Sequence, residues 1–480
     1  MGEHRRFFMG AAAAGLFLRL LFLVYFPAVT DDSRIYADLA TNWLQHGVYG
    51  LTQGGHPEKP ILPTDTRLPG YPAFLAAIFW ICGAGNFKAV LVVQILFDIG
   101  TCLIVADLAR RTVSDRAAKI AFVLTALCPF LANYASAVLT ETLEVFFTAV
   151  ALDCVATALN YEGCNRTTTL RFWAATGLAI AACILLRPDG GILLAAVICF
   201  LALAAAKELI GRGSRAASII AAGILVVVFA LTPLVPWTIR NLRTLQQFQP
   251  LAPRYANESD ELVPRGFNRW VKTWIIDYTS VEEIYWNVPG EKIDPDKLPS
   301  RAFDSAEEKD ATLAAIADYN ESQDMTPESD ARFVIIAADR IRAHAARYYV
   351  TLPLLRVIDM WMRPRTELLP PDPRWWEFHD DTRESVIAVG FGLLNLAYVT
   401  AAVVSIIGFM RRRLAPIRGI GLFVIFLLLR STFLATLENP EPRYTLECYP
   451  VVILLAAICF SGLHKMTNTG AARNLRRLRK

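Results

Sequence analysis

Long runs of apolar residues recur along the chain, and shorter polar segments separate them. Ten of these runs approach or reach the length that a membrane-spanning helix needs, about 20 residues for a hydrocarbon core of about 30 Å. Only helices and closed barrels satisfy their backbone hydrogen bonds in lipid, so runs of this length predict helices. The runs occupy residues 8–28, 88–108, 118–136, 140–160, 172–187, 190–207, 216–236, 386–410, 418–436 and 446–463.

Two further segments predict helices that do not cross the membrane. The apolar run 71–83 is too short to span it comfortably, which favours a re-entrant or juxtamembrane helix. The stretch 33–46 places apolar and aromatic residues at helical spacing and ends at a Gly-Val-Tyr-Gly turn. The predicted fold class is an all-α polytopic membrane protein. It has about ten transmembrane helices, juxtamembrane helices in the first outer loop, and a large outer-face segment.

The first apolar run follows a few basic residues, as it does in a signal peptide. It ends at Pro27 and two aspartates, without a small-x-small cleavage site. We therefore expect a retained first span rather than a cleaved leader.

Basic clusters decide the predicted orientation. They stand at Arg5-Arg6, 110–119, 207–215, 411–418 and in the tail 473–480. Cytoplasmic loops are enriched in Lys and Arg, and ten spans place every cluster in the cytoplasm if 71–83 does not cross. We therefore expect both termini in the cytoplasm of an inner (cytoplasmic) membrane protein. The candidate site then lies on the extracytoplasmic face.

This orientation divides the chain into three parts. Residues 1–237 form an N-terminal transmembrane core whose first outer loop is 30–70. Residues 238–385 form an extracytoplasmic segment, and 386–480 contain the C-terminal spans and the basic tail. The middle segment carries six of the ten tryptophans. An interface belt or core packing is the first interpretation of these indoles, and stacking on sugar rings is the alternative.

Composition excludes several classes of protein. Hydrophobic residues make up 54% of the 480 residues, and the formal net charge is only +4. The nine cysteines lie in or beside apolar runs without metal-ligand spacing, so neither a disulfide framework nor a metal site is predicted. The sequence has no glycine-rich phosphate loop and no nucleic-acid-binding motif, so we expect no nucleic-acid partner.

Adjacent carboxylates follow the first span at Asp31 and Asp32. One interpretation is helix capping, since aspartate accepts hydrogen bonds from backbone N–H groups at a helix start. The other is catalytic. Two like charges at a membrane edge raise the pKa of one carboxyl, which suits a general base.

Other charged residues stand at the outward ends of predicted helices. Arg67 precedes the short apolar run, and Glu141 and Glu144 share one helix face just inside the membrane. An intramembrane carboxylate costs about 2.5–3.5 kcal/mol on insertion scales, so it normally faces a cavity or a partner. Further candidates at such turns are Arg187, Asp189, Trp237, Arg240, Asn241, Arg443 and Tyr444.

This mixture of carboxylates and arginines suits a phosphate carried on a lipid. Guanidinium groups bind phosphate through forked hydrogen bonds. A hydroxyl nucleophile needs a carboxylate to accept its proton. Glycosyl transfer from a polyprenyl-phosphate sugar requires both groups.

Several motifs resemble the glycosyltransferase C superfamily when they are taken in order. Asp32, Tyr36 and Ala40 give Asp-x-x-x-Tyr-x-x-x-Ala after the first span, and "HGVYG" and "RLPGYPAFLA" follow. "LTETLEVF", "LLRPDG", "PWTIRN" and "PRYTLECYPVVILLAA" occur in the same order as in that family. The likeness is greatest to the bacterial branch with protein O-mannosyltransferases and the lipid A aminoarabinose transferase.

The resemblance implies roles for individual residues. Asp32 would be the catalytic base, with Asp31 as its alternative, and Glu141 a second acid that orients the acceptor or sugar. Ser33 stands where the family often has another acid, so no metal-binding or paired-acid role is carried over to this position. The residues predicted to bind substrate are Tyr36, Arg67, Tyr71, Arg187, Arg240, Arg443 and Tyr444.

The expected function is that of an inverting, multi-span glycosyltransferase with a polyprenyl- or dolichyl-phosphate-linked sugar as donor. No cofactor is required, and a need for divalent metal stays open. The acceptor hydroxyl belongs to a protein, a lipid or a glycan, and the sugar is not specified. The alternatives are a transporter or flippase of lipid-linked sugars, a ligase or polymerase of different chemistry, and a non-catalytic lipid-binding subunit.

Overall fold

The computed structural model of the protein describes residues 5–55, 59–162, 165–255, 262–378, 382–412, 414 and 417–461. Within these ranges the chain is mostly helical, with one pair of short strands. Each of the ten apolar runs coincides with one helix or with two consecutive helices. The predicted all-α, multi-pass membrane fold is confirmed. The basic tail at 473–480 lies outside the described residues.

We number the helices and strands in chain order. The first helices are α1 (Arg5–Tyr25), α2 (Asp31–His46), α3 (Gly70–Cys82), α4 (Phe87–Thr112), α5 (Asp115–Ala126), α6 (Pro129–Ala135), α7 (Glu141–Tyr161), α8 (Arg166–Leu186), α9 (Gly191–Ile210), α10 (Ala216–Leu231) and α11 (Leu234–Thr244). They are followed by α12 (Arg265–Val271), α13 (Tyr278–Ser280), α14 (Ala306–Ser322), α15 (Pro327–Ala343), α16 (Leu352–Met362), α17 (Thr382–Met410), α18 (Ile420–Leu434) and α19 (Tyr449–Ser461). The strands are β1 (Gly50–Thr52) and β2 (Ile61–Pro63).

Seven helices of the described residues are long and apolar enough to cross a membrane, and up to nine if each bent pair counts as one span. The bent pairs are α5 with α6, at 51°, and α10 with α11, at 40°. A proline explains each break, because Pro129 and Pro233 have no N–H for the helical hydrogen bond. The short helix α3 has 13 residues and α18 has 15.

Helix α2 begins at a capping box that includes neither Asp31 nor Asp32. Thr30 is the N-cap, its side chain accepts a hydrogen bond from the backbone N–H of Ser33, and Ser33 reciprocates through its own hydroxyl. This arrangement satisfies free N–H groups in the first turn. The capping interpretation of Asp31 and Asp32 is therefore wrong. Gly47 ends the helix with φ +69°, a left-handed conformation that glycine adopts without strain.

Polar residues of α2 hold the loop that follows it. β1 and β2 pair antiparallel, with Gly50 opposite Pro63. The carboxylate of Asp38 accepts hydrogen bonds from the backbone N–H and the hydroxyl of Thr52, at 2.7 and 2.9 Å. Asn42 donates to the carbonyl of Gly50 at 3.0 Å. The loop between α2 and α3 is thus folded back onto the helix that carries Asp32.

Two close backbone contacts join distant segments, one just before α2 and one at the end of α8. Ala28 forms a parallel β-bridge with Ala137, four residues before Glu141. The beginning of α3 lies against the end of α8, where a Cβ added at Gly70 would stand 2.5 Å from the carbonyl oxygen of Leu185. Only glycine fits at that distance, and this packing brings the segment of Arg67 to the end of α8.

The chain divides into two compact units. Unit 1 comprises Met1–Arg254, Ala397–Leu428 and Leu446–Lys480, and unit 2 comprises Tyr255–Leu396 and Leu429–Thr445. In unit 1 a buried ion pair joins α1 to α4, with Arg19 Nε 2.5 Å from a carboxylate oxygen of Asp98. Arg19 also donates to backbone carbonyls of Thr125 and Ala126, so its buried charge is well satisfied.

Unit 2 has its own hydrophobic core. Trp270 and Trp274 are 0% and 1% exposed, and their rings pack in a cluster with Phe267, Phe333 and Tyr319. For these two indoles core packing is confirmed. Helix α15 of this unit is followed by a π-helical turn, Arg347–Thr351.

Candidate active site

Asp32 and Arg67 form an ion pair just beyond the C-terminal end of α1. Nη2 of Arg67 lies 2.9 Å from Oδ1 of Asp32, and the two side chains are 19% and 31% exposed. Asp32 occupies the first turn of α2, and Arg67 stands three residues before α3. The pair is partly shielded but accessible, so the carboxylate is oriented by a cation and can still meet a ligand.

The neighbouring carboxylate points elsewhere. The side chain of Asp31 is 93% exposed and pairs with Arg34 at 2.9 Å. Successive residues on a helix point about 100° apart, so only one of two adjacent aspartates faces inward. That residue is Asp32, which shares a helix face with Tyr36 and Ala40. An exposed pair of this kind contributes little stability, and Asp31 has solvent on most sides.

A second charged cluster surrounds Arg187 at the end of α8. Its guanidinium lies 3.6 Å from Glu141, 3.5 Å from Glu144 and 3.2 Å from Asp189. Glu141 and Glu144 are 3% and 2% exposed, because both begin the buried helix α7. Three carboxylates around one arginine leave this cluster with an excess of acidic groups.

Glu447 adds a fourth carboxyl group to the same cluster. It is 6% exposed and interacts with Glu144 at the start of α7. Sequence reasoning missed Glu447, although an isolated acid at the edge of an apolar run is itself a signal of a buried polar partner.

Tyr36 joins the two clusters. Burial raises the pKa of Tyr36 to about 12, and the charges of Arg67, Asp32, Arg187 and Glu141 act on its hydroxyl in opposing directions. Arg67 also lies over the Tyr36 ring, 5.9 Å from its centre. Of the three residues predicted to be catalytic, Asp32 and Glu141 therefore both influence the pKa of the Tyr36 hydroxyl.

Tyr71 and Arg240 are engaged in holding the scaffold. The hydroxyl of Tyr71 donates to Gln94 at 2.7 Å, and Gln94 donates to the carbonyl of Ala137 at 2.6 Å. The guanidinium of Arg240 donates to the backbone carbonyls of Thr64, at 2.8 Å, and Tyr49. These contacts connect α11 to the loop between α2 and α3, and Tyr71 to the segment before α7.

Arg443 and Tyr444 lie in unit 2, where both contact Glu441. Nε of Arg443 is 2.5 Å from one carboxylate oxygen of Glu441, and the Tyr444 hydroxyl donates to the other at 2.5 Å. The backbone carbonyl of Tyr444 accepts hydrogen bonds from Arg430 at 3.0 and 3.1 Å. Glu441 therefore neutralises the charge of Arg443, a residue that the sequence predicts to bind substrate.

A metal site was not predicted from the sequence. Within the described ranges, no three or more His, Cys, Asp or Glu side chains are grouped so that they could hold a metal ion. Asp32 presents a carboxylate oriented by a guanidinium, near a buried acidic cluster and a neutral tyrosine.

Comparison with known proteins supports part of this picture. Residues 59–237 match the family model of dolichyl-phosphate-mannose-protein mannosyltransferase. The matched range contains Arg67, Glu141 and Arg187, and it begins after Asp32. No curated protein matches the chain.

One solved structure is similar in fold. An oligosaccharyltransferase from Archaeoglobus fulgidus, tethered to an acceptor peptide with an NVT sequon, is 13% identical with a TM-score of 0.52. The alignment covers 94% of this chain and 49% of that one, so the chain spans about half of its length.

Two lipid-bound structures are less similar in fold. The archaeal oligosaccharyltransferase AglB from Archaeoglobus fulgidus, with an inhibitory peptide and a dolichol-phosphate, is 14% identical with a TM-score of 0.49 over 94% of this chain and 50% of that one. ArnT from Cupriavidus metallidurans, bound to undecaprenyl phosphate, is 13% identical with a TM-score of 0.42 over 92% and 77%. The chain is thus similar over residues 59–237 to dolichyl-phosphate-mannose-protein mannosyltransferases and in fold to an oligosaccharyltransferase, which confirms the resemblance to the glycosyltransferase C superfamily that its sequence predicts.

Proposed function

We propose that the protein is an inverting glycosyltransferase that moves a sugar from a polyprenyl- or dolichyl-phosphate donor to a hydroxyl acceptor. The observation that carries this proposal is the 2.9 Å ion pair of Asp32 with Arg67 just beyond the C-terminal end of α1. A family match that includes Arg67, Glu141 and Arg187 supports the class of donor. The transferred sugar is a hexosyl or pentosyl group.

Asp32 acts as the general base in this proposal. Its carboxylate accepts the proton of the acceptor hydroxyl as the acceptor oxygen attacks the anomeric carbon. The bond between that carbon and the donor phosphate oxygen breaks on the opposite face. The bonding electron pair leaves with the lipid phosphate, so the configuration at carbon inverts. The carboxyl proton then passes to solvent, to which Asp32 is partly exposed.

Arg67 has two tasks. It orients Asp32, and its remaining N–H groups can stabilise negative charge as it grows on the departing phosphate. Burial lowers the pKa of Arg67, but interactions with its neighbours, among them the charge and hydrogen bond of Asp32, raise it above its ordinary value, so the guanidinium stays charged. Arg187 is surrounded by three carboxylates, which makes it a weaker phosphate ligand. We assign Arg187 to the positioning of Glu141, which would contact the acceptor or sugar.

The proposal places this reaction on the extracytoplasmic face of the inner membrane. Basic clusters between the spans support that orientation through the positive-inside rule. The donor would enter sideways from the bilayer and the acceptor would approach the outer loop. No nucleotide site is needed, because the lipid is charged with sugar before it reaches this protein.

The test is transfer by the purified protein in proteoliposomes, with a panel of radiolabelled polyprenyl-phosphate sugars and membrane acceptors. Asp32→Asn is expected to lower the rate at least about 100-fold, the low end of general-base contributions. Asp31→Asn is the matched control and should stay within about twofold, because its carboxylate faces solvent.

Donor binding is measured in the same variants to separate catalysis from affinity. Equal transfer by wild type and Asp32→Asn would contradict the assignment of the base. Movement of labelled lipid between leaflets without any transfer would instead favour a transporter.

A further inference from the structure

Unit 2 contains a cavity that the proposed reaction does not use. It has a volume of about 700 Å³, within the usual range for ligand sites. Its apolar lining comes from α16 and the N-terminal half of α17. Its polar lining carries two indoles, two arginines and two aspartates, of which Asp359 also belongs to α16. A cavity with both kinds of lining suits an amphiphilic ligand.

The apolar lining is open to lipid. Ile358 of α16 is 54% exposed, and Leu393 and Leu396 of α17 are 64% and 43% exposed. These residues line the cavity, and α17 is one of the helices long and apolar enough to span the membrane. Burial of exposed aliphatic side chains by an acyl chain is favourable by about 25 cal/mol per Å². The apolar lining therefore continues a surface that the bilayer covers.

The polar lining presents aromatic surface with an unsatisfied donor. The rings of Trp375 and Trp376 lie 5.8 Å apart at 82° to each other, and Trp376 is 46% exposed. Nε1 of Trp375 is buried, and no described group accepts a hydrogen bond from it. A buried indole N–H normally finds an acceptor. A ligand hydroxyl or ring oxygen would supply one, while the exposed indole face would cover the apolar face of a sugar ring.

The charges that line the cavity cancel in pairs. Arg301 forms an ion pair with Asp277, and Arg363 lies 3.6 Å from Asp359 and donates to the Thr279 hydroxyl at 2.7 Å. Each cation already has a carboxylate partner, so the lining offers no net attraction to an anionic headgroup. Two arginines and two aspartates give the lining no net positive charge to attract a phosphate. The ligand head is therefore neutral.

We propose that this cavity binds a neutral membrane lipid whose head carries sugar hydroxyls, with an acyl chain against α16 and α17 and the sugar against Trp375 and Trp376. The site follows from the lining of unit 2 alone and does not depend on the proposed function.

Photoaffinity labelling of the full chain in phosphatidylcholine nanodiscs tests this proposal. Three probes carry a diazirine in the chain: a glucosyl diacylglycerol, a phosphatidylglycerol and a polyprenyl phosphate. We expect the glucosyl probe to label peptides around 355–362 and 389–396 at least fivefold more than either other probe. Unlabelled glucosyl lipid should compete this labelling away.

Two substitutions and a matched control sharpen the result. Leu393→Trp fills the space beside the apolar lining and should lower labelling by the glucosyl probe at least fivefold. Ile387→Trp, on an exposed position of the same helix outside the cavity, should leave labelling unchanged. Trp375→Phe removes the unsatisfied donor and should weaken labelling by the glucosyl probe but not by the phosphatidylglycerol probe.

Each contrary outcome has a distinct meaning. Equal labelling by all three probes would overturn the proposal, since the cavity would then be a bilayer-facing groove without selectivity. Preferential labelling by the polyprenyl phosphate would overturn it in favour of a donor-chain groove, and absence of labelling would overturn it outright. Labelling of the wild-type protein, with unlabelled glucosyl lipid as competitor, distinguishes these outcomes even if a variant fails to fold. Selective labelling without transfer to any acceptor would count against the proposed function and leave the lipid site intact.

Discussion

Nη2 of Arg67 lies 2.9 Å from Oδ1 of Asp32, although the two residues are 35 positions apart. Two features bring them together. Hydrogen bonds of Asp38 and Asn42 hold the loop between α2 and α3 against α2. The start of α3 at Gly70 also packs closely against the end of α8. The reactive carboxylate is therefore oriented by long-range packing rather than by its own helix.

Replacement of Arg67 should impair transfer more when the positive charge is removed than when only the planar shape of the guanidinium is removed. Arg67→Ala removes both the orientation of Asp32 and the charge beside the phosphate, so we expect kcat to fall at least about 100-fold. Arg67→Lys keeps the charge without the planar fork and should retain more activity, with a loss of about tenfold. Steady-state kinetics of both variants, with donor binding measured separately, provide the check.

Arg34→Ala is the control for that experiment. It removes the arginine that pairs with exposed Asp31 and should leave kcat within about twofold. If Arg34→Ala and Arg67→Ala are equally impaired, the Asp32 pair has no special role.

Glu141 and Arg187 should be energetically coupled. Arg187→Gln removes the guanidinium that three carboxylates contact, and breaking a buried pair typically costs about 3–5 kcal/mol. Glu141→Gln leaves Arg187 beside Glu144 and Asp189, so Arg187→Gln should lower Tm more than Glu141→Gln does. Because the two side chains are in contact, the effect of the double variant should differ from the sum. A coupling of about 0.5–3 kcal/mol is expected from the double-mutant cycle in detergent. Additive effects would mean that the 3.6 Å contact contributes nothing.

Much of the fold follows from the spacing of apolar residues. Runs long enough to cross lipid must be helical, and each of the ten predicted runs coincides with helix. The breaks after α5 and α10 were not predicted, although Pro129 and Pro233 stand at them. The pattern of apolar residues passes through both prolines, so hydropathy alone does not reveal where a helix bends.

The candidate site was predictable in part. The inward orientation of Asp32 follows from its spacing of four and eight residues to Tyr36 and Ala40, both buried. The convergence of Arg67 and Glu141 depends on the Ala28–Ala137 bridge and other contacts between distant segments, which no local pattern contains. Glu447 was missed, although it stands at the beginning of the apolar run 446–463 and is buried.

Tyr36 should act as a neutral group over the whole accessible pH range. Burial raises its pKa to about 12, so the hydroxyl stays protonated to a higher pH than an exposed tyrosine. An alkaline limb of the transfer rate below about pH 11 therefore cannot come from ionisation of Tyr36. We expect Tyr36→Phe to lower kcat while leaving the shape of the pH–rate profile between pH 6 and 10 unchanged. A shifted profile in Tyr36→Phe would contradict this assignment.

Glu367 should make unit 2 less stable as the pH rises. Both its carboxyl oxygens are buried, and burial raises its pKa from the ordinary 4.5 to about 7 although Arg365 and Arg363 lower it. Between about pH 4.5 and 7 the unfolded chain loses the proton while the folded chain keeps it, so stability falls through this window and then levels off. The cost at pH 8 is about 3 kcal/mol, at about 1.4 kcal/mol for each pH unit.

Glu367→Gln keeps the shape of a protonated glutamate and cannot ionise. Its Tm in detergent should therefore match wild type near pH 4.5 and exceed it by several degrees at pH 8. Glu377→Gln is the control, because this side chain is 42% exposed and pairs with Arg374 at 3.3 Å. It should leave the pH dependence of Tm as it is in wild type. If Glu367→Gln shows the same loss of Tm with rising pH as wild type, another buried group causes it.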